Sequence, residues 1–359
     1  MMASNSDNHD ISTRFESNNN YDRMKPKIFI SPPTDDDVII NLDSCAESSK
    51  EFCIPVIDVG DIKEADDRQR KMIIDQVISA CENFGFFQVV NHCVPKILMD
   101  EMLENIYMFN EQSAEGKSSY ISKFDLYKAP TTNWRDTYYC YMAPTPPKTE
   151  EIPIILRDTM MEYSDFMEKL GLELFKLMSE GLGLTRNYLT DMECAKVWAL
   201  ICNYYPECPQ PELAVGKSKH SDAYFLTILP QDNHISSLQV LHKNQWVDVP
   251  PLHGALIVNV GDILQASISL SGIIQIVSND RLKSVEHMAL ANLEHPRASI
   301  GCFFYGSYLE QPTRKYGPIK ELLTETDCPG YREMTSYEYI AHSYEIGLKG
   351  KYPLTKFKL

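Results

Sequence analysis

His220-Ser221-Asp222, then Ser284-Val285-Glu286-His287, then Arg297-Ala298-Ser299 are the stretches whose reading decides the architecture. On a β-strand, residues i and i+2 project from the same face. His220 and Asp222 therefore aim an imidazole and a carboxylate at one point, and His287 arrives from a second strand. Two histidines and a carboxylate on one face of a metal ion leave positions open for co-substrate and dioxygen. That donor set points to a non-haem Fe(II) site rather than to structural zinc. Arg297 and Ser299, again i and i+2, set a guanidinium fork beside a hydroxyl, which suits the far carboxylate of a small diacid.

Taken singly, H-x-D is a common triplet, a lone histidine is usually a surface or core residue, and Arg-x-Ser says little. Order and surroundings give the three their weight. Asn203-Tyr204-Tyr205-Pro206 precedes the H-x-D and Leu226-Thr227-Ile228-Leu229 follows it. His287 comes after Ser278-Asn279-Asp280, and the Arg-x-Ser runs into Gly301-Cys302-Phe303-Phe304.

A chain of 359 residues can bury one large core or two packed ones. Its formal net charge of −16 argues against nucleic acid, which needs a basic footprint, and against anionic membrane surfaces. An anionic substrate stays compatible, because a local arginine outweighs a diffuse surface field. The ten cysteines include no C-x-x-C pair, so reduced thiols are expected. No apolar run reaches the roughly 18–20 residues that span a bilayer, and the polar start lacks a signal core. A cytoplasmic, monomeric protein acting on a small molecule is the expectation.

Residues 1–50 read as a mostly disordered extension, rich in Ser, Asn and Asp. Residues 51–190 read as a helical and strand region. It holds a strand at Ile54–Asp58, a helix from Asp67 to Phe84 stopped by Gly85, and a strand at Phe86–Val90. Helices over 95–109 and 158–181 complete it. From 196 to 310 short β-branched and aromatic runs alternate with turns, the pattern of a sandwich or barrel. Residues 311–359 form a helical tail.

Gly85-Phe86-Phe87-Gln88-Val89-Val90-Asn91-His92, Phe124 to Tyr127, Asn133-Trp134-Arg135-Asp136-Thr137, Gln245 to Pro251 and the final Lys356-Phe357-Lys358-Leu359 join the three stretches above. Together they resemble the plant 2-oxoglutarate- and Fe(II)-dependent dioxygenases, closest to the 1-aminocyclopropane-1-carboxylate oxidase homologues, a branch that includes alkaloid hydroxylases such as deacetoxyvindoline 4-hydroxylase. The resemblance implies a mainly β fold with flanking helices, built on a double-stranded β-helix (jelly-roll, isopenicillin N synthase-like) core. It implies that His220, Asp222 and His287 hold Fe(II), and that Arg297 and Ser299 hold the distal carboxylate of 2-oxoglutarate. Tyr205 would add a hydroxyl to that clamp and Asn203 a hydrogen bond nearby. Dioxygen would cleave the keto acid to succinate and CO2 while a metabolite C–H bond is oxidised, with ascorbate as reductant. Phe303 and Trp134 fit a substrate pocket and fit aromatic core equally; Tyr205 also fits a simple strand aromatic. Ethylene-forming 1-aminocyclopropane-1-carboxylate oxidation is the enzymatic alternative.

The chain departs from its relatives between Gly261-Asp262-Ile263-Leu264-Gln265, read as the end of a strand, and Ser278-Asn279-Asp280. Segment 266–275 is extra there. A register slip in a ligand-bearing strand turns every side chain to the wrong face. Two accommodations are open: a hairpin turned at Ser271-Gly272, or replacement of 263–265 in the sheet by 273–278. An impaired variant is the third reading. Ser236-Ser237 and Cys93 stand where glycines are usual, and strain is expected if those positions need positive φ.

Overall fold

The structure, a computed structural model, describes residues 53–60, 62, 66–112, 133–232, 235–265, 268–269, 272–273, 281–307, 314–322, 332–347 and 356–357. The 1–50 extension, Phe124 to Tyr127, His234 and most of segment 266–275 lie outside these residues.

Helix α1 (Asp67–Asn83) starts where sequence chemistry dictates. Asp66 accepts from the Gln69 N–H while the Gln69 side chain accepts from the Asp66 N–H, a reciprocal capping box. It stops at Gly85, whose φ of +69° suits the left-handed helix terminus. A Cβ there would meet the Lys283 carbonyl oxygen at 2.4 Å. Helices α2 (Lys96–Glu111) and α3 (Arg157–Gly181) follow, with the single turn α4 (Tyr188–Asp191) and, near the end, α5 (Ser336–Gly347).

The strands form two facing sheets. The larger runs, in spatial order, β1 (Val56–Asp58), β2 (Phe86–Val90), β9 (Leu256–Val260), β6 (Leu226–Pro230), β13 (Arg297–Tyr305), β4 (Val197–Tyr205) and β3 (Asp136–Tyr141). The smaller runs β5 (Val215–His220), β12 (His287–Leu290), β7 (Leu238–His242) and β8 (Gln245–Asp248). From β4 to β13 the chain passes back and forth between the two sheets, the β7–β8 hairpin serving as one pass through the small sheet, which is the jelly-roll winding expected. Lys243 and Asn244, both at positive φ, turn the β7–β8 hairpin.

The outer face of the large sheet packs on the helices through one apolar core that includes Val77, Met102, Leu174, Ile228 and Phe304. Close approach of α3 depends on Gly171, because a Cβ there would lie 2.1 Å from Phe304 Cζ. Gly171→Val is therefore expected to destabilise the protein by about 1–3 kcal/mol through overpacking. A thermal midpoint unchanged from wild type would show that α3 can move off the sheet.

Two expectations need correction. Gly261–Gln265 is a turn, not a strand: β9 ends at Val260, and the N–H groups of Leu264 and Gln265 both donate to the Gly261 carbonyl. Cys93, Ser236 and Ser237 avoid positive φ, which falls instead on Asn91, so the anticipated strain does not arise. Within the extra segment, β10 (Ile268–Ser269) and β11 (Gly272–Ile273) pair antiparallel as a separate hairpin. Of the two accommodations this pairing matches the hairpin, with Gly272 in a strand. Residues 263–265 keep their place, and the Gln265 side-chain oxygen accepts from the Ser284 N–H across the base of the excursion.

Candidate metal centre and co-substrate cradle

His220 ends β5 and His287 begins β12, and the two are direct partners in the small sheet. Their ring centroids lie 4.2 Å apart. Asp222, two residues past β5, places Oδ1 3.6 Å from His220 Nε2 and 3.7 Å from His287 Nε2. One donor atom from each residue falls within 4.8 Å of the others, the one such group of three found among the described residues.

The protonation pattern suits metal binding. His220 Nδ1 sits 2.8 Å from the Ser218 carbonyl and His287 Nδ1 3.1 Å from the Val285 carbonyl. A carbonyl only accepts, so each Nδ1 carries the proton and each Nε2 lone pair faces Asp222. Asp222 Oδ2 accepts from Thr227 Oγ1 at 2.6 Å and Asn259 Nδ2 at 2.7 Å, leaving Oδ1 towards the histidines. Thr227 and Asn259 are partners on β6 and β9 of the large sheet. Asp222 is thereby braced from the sheet opposite the one that carries the histidines. Two histidine nitrogens and one oriented carboxylate oxygen match the donor chemistry of Fe(II).

A second carboxylate ties the ligand segments together. Asp262 accepts from Ser221 Oγ at 2.9 Å, Ser284 Oγ at 2.7 Å and Tyr339 Oη at 2.8 Å, and its N–H donates to the Asp222 carbonyl. Burial pushes its carboxyl up to about 6, against the pull of those three hydroxyl donors.

Burial, then the charges of His287 and Lys217, holds the His220 imidazolium well below the ordinary histidine range. Protons and metal compete for Nε2, so a lowered value moves proton competition to lower pH. Iron retention after dialysis between about pH 5 and 7 is expected to half-fall below the ordinary histidine value of roughly 6.5. Half-loss at or above that value would show the His220 environment to be wrong. For the metal-free chain the same shift makes stability fall as pH drops through the ordinary range towards the lowered value.

Next to the triad, one face of the β4–β13 ladder carries four polar side chains. Tyr205 pairs with Arg297 and Asn203 with Ser299. Spacing by two keeps all four on the same face. Arg297 and Ser299 are 3% exposed, Tyr205 6% and Asn203 8%. The Arg297 guanidinium lies over the Tyr205 ring at 5.1 Å from its centroid. Its buried Nε donates to nothing among the described residues, and no described carboxylate pairs with it. A buried guanidinium without an anion is costly, so this face is built for one.

The pocket expectations separate. Phe303 is half-buried and pairs with Thr227, the residue that braces Asp222. Its ring folds back over Gly301, where a Cβ would lie 2.3 Å from Phe303 Cε2, and Tyr224 packs edge-on at 5.2 Å. Tyr139 and Tyr305 join the same group, their hydroxyls 2.6 Å apart. Trp134 instead belongs to a small cluster with Cys208 and Ala214, its Nε1 donating to the Pro206 carbonyl at 3.0 Å.

Sequence reasoning passed over Thr227, Asn259, Asp262 and Asn133. Asn133 Oδ1 accepts from both the N–H and hydroxyl of Ser218, whose carbonyl holds His220. Hydroxyls at Ser221 and Ser284, flanking the ligand motifs, were the available signal for Asp262.

Two facing sheets, a two-histidine, one-carboxylate centre between them and a buried arginine beside it define a non-haem Fe(II), 2-oxoglutarate-dependent dioxygenase. Residues 198–305 match the model of the 2OG-Fe(II) oxygenase superfamily, and 54–153 that of the non-haem dioxygenase in morphine synthesis N-terminal family. The chain belongs to the plant 2-oxoglutarate- and Fe(II)-dependent dioxygenase family. It is 44% identical over 346 residues to 1-aminocyclopropane-1-carboxylate oxidase homolog 1 of Arabidopsis thaliana, covering 93% of this chain and 90% of that one. A homolog from Solanum lycopersicum is 42% identical, with 93% and 90% covered. Among solved structures, JOX2 in complex with 2OG, Fe and JA superposes with a TM-score of 0.73 at 30% identity, covering 89% of each chain. A rice dioxygenase for auxin oxidation shares the fold, with a TM-score of 0.65 at 23% identity over 82% of this chain and 96% of that one. No described helix is long and apolar enough to cross a membrane.

Proposed function

We propose that this enzyme oxidises, by hydroxylation, a C–H bond of a small plant specialised metabolite, with release of succinate and CO2. His220 Nε2, His287 Nε2 and Asp222 Oδ1 hold the iron. Bound there, Fe(II) supplies the redox chemistry that couples dioxygen to keto-acid decarboxylation. Arg297 and Ser299 grip the distal carboxylate of 2-oxoglutarate, Tyr205 adds its hydroxyl, and Asn203 donates nearer the metal. Phe303, backed by Tyr224 and Tyr305, walls the metabolite's side of the centre and excludes water. Ascorbate keeps the iron ferrous, and the protein acts as a cytoplasmic monomer.

The observation that carries this reading is the buried, anion-seeking Arg297 on the strand face beside the triad. The metabolite's walls are aromatic and hydroxylic among the described residues, which fits a ring-bearing compound better than a small amino acid. Iron-loaded protein given 2-oxoglutarate is expected to release succinate slowly, and faster when its metabolite is added from a plant extract. Ethylene from 1-aminocyclopropane-1-carboxylate without keto acid would overturn the proposal in favour of the ethylene-forming reaction.

A further inference from the structure

Asn203 is 8% exposed, and the two side-chain hydrogen bonds it receives among the described residues fall on the same atom. Arg135 Nη1 donates to Asn203 Oδ1 at 2.5 Å, and Thr137 Oγ1 donates to it at 3.1 Å. Thr137 is the direct ladder partner of Asn203, and Arg135 precedes it by two residues, on the same face. The two donors do not constrain the amide equally. A threonine hydroxyl donates or accepts and would serve either orientation of an asparagine amide. A guanidinium only donates. With Arg135 in place, a flipped amide would set two donors against each other.

We propose that Arg135 is a positioning residue: it locks the Asn203 amide so that the group offered to the metal-side cradle is the Nδ2 donor and never the oxygen. The chemistry this selects is an anionic oxygen, the metal-proximal carboxylate of the keto acid. The inference rests on the co-substrate assignment made above.

The test is a double-mutant cycle on 2-oxoglutarate binding to full-length protein, measured anaerobically by calorimetry with Fe(II) bound. Arg135→Ala is expected to weaken binding by up to about tenfold, the ceiling being the Asn203 hydrogen bond to a charged acceptor that Arg135 orients. Asn203→Ala is expected to weaken it similarly, and the double variant no further. Arg135→Gln, whose amide can still donate to Oδ1, should recover most of the affinity. It also serves as the working variant if Arg135→Ala does not fold. An Arg135→Ala effect that persists in full in the Asn203→Ala background would overturn the lock, because Arg135 would then act directly or through the fold. No effect of Arg135→Ala on binding would overturn it too. Failure of the underlying assignment looks different: Arg297→Gln would leave 2-oxoglutarate affinity unchanged.

Discussion

His287→Ala is expected to lose iron and turnover together while the protein stays folded. Among the described residues the side chain makes one hydrogen bond, Nδ1 to the Val285 carbonyl, an edge contact with Phe86 and a ring contact with His220, its fellow ligand. Its removal leaves a small gap in a wall that already faces the site. The ladder pairing of β12 with β5 and β7 is carried by backbone groups and survives. What goes is one of three metal donors. Removing an outer-sphere partner of a ligand costs about 10–100-fold in metal affinity, so losing the ligand itself should cost more than roughly 100-fold. Thr227→Val provides the internal scale. It removes one of two braces on Asp222 Oδ2 and should fall inside that outer-sphere range. Bound iron per chain after gel filtration, read beside the thermal midpoint, separates loss of a ligand from loss of fold. Retention of stoichiometric iron by folded His287→Ala protein would remove His287 from the ligand set.

This substitution also probes the extra segment. His287 lies beyond it, and sequence alone left open whether that histidine could still reach the other two ligands. The described part of the excursion, β10 with β11, pairs with itself in a sheet separate from the two jelly-roll sheets. Its base is fixed by Gln265 to Ser284 and by Asp262 to Ser284, so the chain re-enters β12 at the same place whatever lies between. Parity, the worry raised by reading 261–265 as a strand, does not apply to a turn followed by a hairpin.

What was legible followed from period-two and helical spacing. His220 with Asp222 and Arg297 with Ser299 needed only the knowledge that alternate strand residues share a face, whereas Asn203 and Tyr205 came from the family resemblance. The long helix, read over 158–181 and running Arg157–Gly181, and α1 were readable from their apolar stripes, whereas the Asp66 cap was not read. Thr227 and Asn259 were not readable, because their meaning comes from a cross-strand pairing between segments far apart in sequence, and each looks like ordinary strand filling. Arg135 and Thr137 both donate to Asn203, whereas Trp134, next to Arg135 in the sequence, packs with Cys208 and Ala214.

Arg297→Gln is expected to raise the 2-oxoglutarate requirement about 100-fold or more, two charge-assisted hydrogen bonds being worth roughly 1.5 kcal/mol each at the low end. Iron affinity should stay within about threefold of wild type, since Arg297 lies on the large sheet and the histidines on the small one. Arg297→Lys keeps the charge but loses the planar fork and the stacking on Tyr205, so it should fall between, nearer the glutamine variant than to wild type. Ser299→Ala removes one neutral hydroxyl donor and should cost about tenfold at most. The order matters more than any single value. A cradle for a dicarboxylate demands that charge and fork geometry both count, whereas a general electrostatic attraction would let lysine substitute fully. The glutamine variant should also lose stability less than burial suggests, because wild type already holds its guanidinium away from any described carboxylate. Equal 2-oxoglutarate affinity in wild type and Arg297→Gln would place the co-substrate elsewhere. The buried guanidinium on β13 would then need a different anion.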